Sequence, residues 1–111
     1  MSDITDEYMQ GELAKAREYA VVFLLPGPNA ATADRSVIWE HGRRNFELRA
    51  AGLMNIVGPM KDDGDIEGMC IFNATPDEAA KLMDEDPAVQ AGIFTYKIHL
   101  LKSFPGDALA G

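Results

Sequence analysis

Asp34-Arg-Ser-Val-Ile-Trp-Glu-His-Gly-Arg-Arg-Asn-Phe-Glu-Leu-Arg-Ala-Ala-Gly52 reads as one helix, and its place between two strand-like runs decides the fold. Thr32 or Asp34 is the candidate N-cap, and Gly52 is the terminating residue. Spacings of three and four predict an inward stripe of Ile38, His41, Asn45, Leu48 and Gly52. Two of these positions carry an imidazole and an amide, which cost free energy when buried unless something bonds them. The stripe therefore faces either a satisfied polar network or a cavity that holds a ligand. Gly42 in mid-helix costs about 1 kcal/mol relative to Ala, which suggests close packing or a ligand there.

Upstream, Tyr19-Ala-Val-Val-Phe-Leu-Leu25 is a β-branched and aromatic run stopped by Pro26-Gly-Pro28, as suits a central strand buried on both faces. Downstream, Leu53-Met-Asn-Ile-Val57 predicts a second strand ended by Gly58-Pro59. The polar Lys61-Asp-Asp-Gly-Asp65 suits a hairpin, and Ile66 to Asn73 returns as the third strand. Thr75-Pro-Asp-Glu78 is a capping box with Pro at the first helical position, opening a helix that buries Ala79, Leu82 and Met83. That helix ends near Asp84 to Asp86, before Pro87, and after Gly92 the last strand runs from Ile93 to Leu101. The order βαββαβ predicts an α+β, ferredoxin-like domain with a four-stranded antiparallel sheet and both helices on one face. Every strand carries apolar residues on both faces, so the uncovered face is expected to pack on a second copy, making a homodimer.

Residues 1–18 form an acidic N-terminal extension, with Ile4, Tyr8, Leu13 and Ala16 near one helical face, read as an amphipathic helix docked on the rest or as a loose tail. Residues 19–111 are a single domain, since 111 residues support one core and not two. A formal charge of −8 argues against nucleic acid and membrane surfaces and leaves small molecules or proteins as partners. The single Cys70 excludes an intramolecular disulfide framework. The start Met-Ser-Asp-Ile-Thr-Asp-Glu lacks a basic and apolar leader, and no apolar run approaches the roughly 18 residues of a membrane span. A cytoplasmic location is expected. No phosphate-cradling glycine loop, nucleophile elbow or dinucleotide fingerprint is present, so no cofactor is expected.

Projected at about 100° per residue, the long helix places Arg35, His41, Gly42, Asn45 and Arg49 in one inner arc, with Trp39 and Phe46 on one side and Leu48 on the other. Arg35 and Arg49 either snorkel at the helix ends or hold a small anionic substrate, such as a cyclic one, walled by Trp39 and Phe46. Asp86 either caps a turn that begins at Pro87 or reaches across to His41, because βαββαβ topology sets the two helices side by side. An imidazole bonded to a carboxylate has a fixed tautomer and suits general acid or base work near neutrality. His99 shares a strand face with Thr95, Lys97 and Leu101, and is either a second base lining the pocket or a residue of the dimer barrel. A metal triad of His41, Asp86 and His99 lacks any tight ligand spacing, so no metal is expected. If His41 and Asn45 face an open pocket, replacing both by Leu is expected to cost no stability.

Five short motifs in register, Glu40-His41, Ala51-Gly52-Leu53, Val57-Gly58-Pro59-Met60, Thr75-Pro-Asp-Glu-Ala-Ala80 and Asp84-Glu-Asp-Pro-Ala-Val-Gln-Ala-Gly-Ile93, resemble the YCII-related proteins over about residues 19–103. The resemblance implies a dimeric α+β barrel of ferredoxin-like subunits with an active site built on a His and an Asp, here His41 and Asp86. The family includes a dehydrochlorinase acting on a chlorinated hydroxyquinol, and its fold resembles that of muconolactone isomerase. Gly42, Asn45 and the N-terminal extension depart from its usual pattern. Two functions follow as expectations: a cofactor-independent lyase or isomerase that moves a proton with the His41–Asp86 dyad, or a non-catalytic dimeric module that binds a metabolite or a protein.

Overall fold

The computed structural model describes residues 3–111 and has the element order α1 (Asp6–Ala14), β1 (Arg17–Pro26), α2 (Arg35–Ala50), β2 (Met54–Pro59), β3 (Gly68–Phe72), α3 (Pro76–Asp84), α4 (Pro87–Gln90) and β4 (Phe94–Ser103). The sheet runs β2-β3-β1-β4 with every neighbouring pair antiparallel, which is the ferredoxin-like arrangement. The apolar run in β1 makes it a central strand, paired on both edges.

Local chemistry places the helices. Asp34 caps α2, its carboxylate accepting from the Ser36 amide and hydroxyl, which holds that carboxyl below its usual range. Thr75 and Glu78 form the complete capping box at the start of α3. Gly52 ends α2 at φ +79°, the left-handed conformation that glycine adopts freely. The core lies between the sheet and the helices, with Ala20, Val22, Met54, Phe72, Ala79 and Met83 buried there.

The exit of β1 and the entry of β4 are tied together. Gly27 donates to the Ile93 carbonyl at 2.7 Å and Asn29 to the Gly92 carbonyl at 2.8 Å, while the Asn29 side chain reaches the Ala91 carbonyl. A side chain at Gly27 would overlap the Gly92 backbone, so only glycine permits this approach. The clasp fixes α4, and with it Asp86, beneath α2.

Strand register settles the two faces of the sheet. Val22 pairs with Ile98 and Val21 with His99, and Val22 is in the core, so Phe94, Tyr96, Ile98 and Leu100 face the helices while Thr95, Lys97, His99 and Leu101 face away. The α1 helix forms behind its Thr5 cap but buries no residue, and Ile4, Tyr8, Met9 and Leu13 all stand exposed. Of the two readings of this segment, a docked helix and a loose tail, the structure shows a helix that packs on nothing in its own domain. Among the described residues no helix is long and apolar enough to cross a membrane.

Candidate active site

Asp86 stands at the N-cap position of α4 and is 1% exposed, yet its side chain caps nothing. Its carboxylate turns to α2 and meets His41, with Oδ1 and Oδ2 at 2.7 and 2.6 Å from Nδ1. Pro87, at the first position of α4, presets the helical φ and starts that short helix without a side-chain cap. An ionised carboxylate only accepts, so His41 carries its proton on Nδ1 and presents Nε2 as the acceptor. Asn45, one turn along α2, donates from Nδ2 to Nε2 at 3.3 Å. The Phe94 ring lies 5.2 Å from the imidazole and closes the side toward β4. Asp86, His41 and Asn45 thus form a line of hydrogen bonds from the buried end of α3–α4 to the open side of α2, and no buried side-chain nitrogen or oxygen among the described residues lacks a partner.

The line ends in a cavity of about 300 Å³ between α2 and the β2–β3 side of the sheet. His41, Gly42, Asn45, Ile38 and Phe46 line it from α2, and Val22, Leu24, Met54, Val57, Pro59, Met69, Cys70 and Met83 form most of the rest. Glu67 is the sole acidic residue of the lining, and no Lys or Arg belongs to it. Burial pushes the Cys70 thiol up to about 12, so it remains a neutral group in the cavity floor. On the other side of α3, Tyr96 donates its hydroxyl to Asp84 at 2.6 Å; burial and then this carboxylate raise the phenol to about 12.

Of the residues singled out from sequence, His41, Asp86, Asn45 and Phe46 come together. Arg35, Trp39 and Arg49 do not: they lie outside the cavity lining, with Trp39 70% exposed. The projected arc holds for His41, Gly42 and Asn45, with Val37, Arg44 and Leu48 also turned inward, while Arg35, Trp39 and Arg49 stand exposed. His99 is likewise away from the cavity, on the helix-free face, where its ring meets Phe23 edge-on at 5.8 Å. Sequence reasoning predicted the β2–β3 hairpin but not that it walls the cavity. Its signal was Gly58 opposite Met69 and Pro59 opposite Gly68, small and kinked residues that keep the sheet edge from filling the space. Among the described residues no group of three His, Cys, Asp or Glu side chains is arranged to hold a metal.

The family model described as "YCII-related domain" matches residues 13–102. No curated protein matches the sequence. Among solved structures, the fold is similar to that of 5-chloro-2-hydroxyhydroquinone dehydrochlorinase from Burkholderia phenoliruptrix AC1100 in complex with 2,5-dihydroxybenzoquinone. The two share 21% identity at a TM-score of 0.57, covering 73% of this chain and 90% of that one. At that identity the likeness is one of fold.

Proposed function

The chain belongs to the YCII-related domain family, and we propose that it is a small-molecule enzyme of lyase or isomerase type in which His41 transfers a proton and Asp86 holds it. The observation that carries this reading is the Asp86 side chain, which forgoes its cap position to give both oxygens to a single imidazole nitrogen. A buried carboxylate so placed fixes the Nδ1–H tautomer and compensates the positive charge that develops when Nε2 takes a proton. In an elimination, the proton leaves a substrate carbon or hydroxyl for Nε2 as the leaving group departs from the neighbouring carbon. In an isomerisation, the same nitrogen returns the proton to a different carbon. Neither course needs a redox partner or an added cofactor.

The cavity supports a substrate class. About 300 Å³ is at the small end of ligand sites, enough for one substituted ring. Apolar walls without a cation favour an uncharged ring bearing a hydroxyl or carbonyl, in place of the anionic substrate expected from Arg35 and Arg49. The dehydrochlorinase of similar fold, solved with a dihydroxybenzoquinone, is a consistent precedent. The helix-free face, with Tyr19, Val21, Phe23 and Leu25 on β1, is the surface on which two copies would pair. Light scattering at micromolar concentration is expected to give a dimer mass, and a monomer would remove that pairing.

A thermal-shift screen of phenols, quinones and lactones tests the reading. Hits should raise the melting temperature of the parent. Those hits should be converted by the parent and not by Asp86→Asn, whose ¹⁵N spectrum should show His41 losing its single Nδ1–H tautomer. A hit bound without conversion would favour the metabolite-binding module. An unchanged tautomer in Asp86→Asn would end the dyad mechanism.

A further inference from the structure

Four of the five arginines of this acidic chain, Arg35, Arg43, Arg44 and Arg49, lie on α2. Trp39 and Phe46 lie with Arg35 and Arg49 along one exposed line of that helix, at 70% and 64% exposure, with the Arg49 guanidinium 5.8 Å above the Phe46 ring. The side-chain-free Gly42 between the two aromatics leaves a notch, since nothing stands within 4 Å of where its Cβ would be. A Trp and a Phe so exposed, rimmed by arginines, have the composition of an interface centre.

The complementary surface is on the same chain. The segment from Asp3 to Leu13 carries Asp3, Asp6, Glu7 and Glu12 beside the exposed apolar Ile4, Tyr8, Met9 and Leu13. Its nine-residue helix buries nothing, although isolated helices shorter than about 12 residues are marginal in water. The radius of gyration, 16.4 Å, exceeds the roughly 13 Å of a compact chain of this length, as expected when a helix stands off the body. In its own subunit this helix packs on nothing and leaves the stripe uncovered. Only Lys15 and Ala16 separate it from β1, and both amides are already bonded to Glu12 and Leu13. Two residues span at most about 7 Å and hold α1 close to the start of β1.

We propose that α1 of a second copy of this chain docks on the Trp39–Phe46 stripe, its carboxylates against Arg35 and Arg49 and its apolar residues over the Gly42 notch. Because Phe46 and Gly42 also line the cavity, the partner's α1 roofs the mouth of the site. The inference stands apart from the proton-transfer chemistry: loss of the dyad leaves this docking intact, and loss of docking leaves the dyad intact.

Trp39 is the sole tryptophan, so its fluorescence reports the stripe directly. In the parent, acrylamide should quench Trp39 at least twofold less than in the full-length variant Met9→Asp/Leu13→Asp, and 0.5 M salt should narrow the gap. Equal quenching in parent and variant would overturn the proposal. The deciding arm mixes and co-refolds that variant with an excess of Trp39→Phe protein, which has an intact α1 and no tryptophan. Protection of Trp39 in the mixture shows docking between copies. No protection would overturn it, as would equal protection by a Trp39→Phe partner that also carries Met9→Asp/Leu13→Asp. Circular dichroism of the exposed-site variants confirms that each is folded.

Discussion

The two main helices lie on the same face of one sheet and do opposite things with it. The α3 helix, nine residues long, buries Ala79 and Met83 against the sheet, is locked at its start by a full capping box, and has Tyr96 bonded to Asp84 at its end. The α2 helix, 16 residues long, has no fully buried residue, and beneath it lies a cavity in place of packed side chains. Packing under α3 stabilises the domain, and the space under α2 is held open by the backbone around it. The stable half also supplies the site, because Asp86 follows directly on α3 and is as buried as the core, whereas His41 belongs to the loose half.

The largest effect should therefore fall on the packed side. Phe72→Ala, at a residue with no exposure, should cost about 3–5 kcal/mol. Ile38→Ala, at the rim of the cavity, should cost less than about 1 kcal/mol. Chemical denaturation of both variants measures the difference, and equal losses would mean that the cavity side is as tightly packed as the core. His41→Leu comes next. It breaks the general rule for α2, since it leaves the Asp86 carboxylate buried without its partner, and a loss of about 3 kcal/mol is expected. This reverses the expectation from sequence that Leu at both His41 and Asn45 would be harmless: the pocket is open, but the other end of the dyad is not. A His41→Leu protein as stable as the parent would show that Asp86 finds another partner.

What was legible in the sequence follows the same division. The strands, the capping box and the Gly52 stop were readable because β-branched runs, Thr75-Pro76 and a left-handed glycine act locally. The His41–Asp86 contact was readable because the topology brings one helix end beside the body of the next. The exposure of Arg35, Trp39 and Arg49 was not, since a helix without a strong apolar face has the edges of its inner arc set by contacts such as Leu48 on the core and not by its own pattern. The side taken by His99 was hidden for a related reason: β4 alternates Phe94, Tyr96, Ile98 and Leu100 with residues that include Leu101, and only pairing with Val21 and Val22 decides between them. The standing-off of α1 was left open between docking and a loose tail, because an acidic segment with a few apolar residues suits docking on any surface, including one outside its own subunit.

Cys70 distinguishes a dry cavity from a wet one. Its thiol is pushed from an ordinary 9.0 up to about 12 by burial, so in the folded state it stays protonated where the unfolded chain has lost its proton. That contribution to stability is complete below pH 9 and is lost progressively as pH rises toward 12, amounting to about 1 kcal/mol by pH 10. Cys70→Ala should flatten this alkaline loss in a pH series of urea melts, and the native thiol should resist iodoacetamide at pH 8. Rapid alkylation of the folded protein would place water in the floor of the cavity and weaken the case for an apolar ligand.

The smallest effect tests whether the looseness of α2 serves the site. Gly42 lies in mid-helix, where Ala is favoured by about 0.5–1 kcal/mol through the entropy of the unfolded chain and helix propensity. Nothing stands within 4 Å of the added methyl, so Gly42→Ala meets no clash, and its melting point should rise by a few degrees. The methyl would project beside His41 and Asn45 along a helix that lines the cavity, taking up part of about 300 Å³. If the notch is kept for a ligand, the variant should be more stable and bind worse, raising KM for the hits of the thermal-shift screen with little change in kcat. A variant more stable and unimpaired in binding would show that the glycine serves neither the ligand nor the fold, and that α2 is open at this point without functional cause.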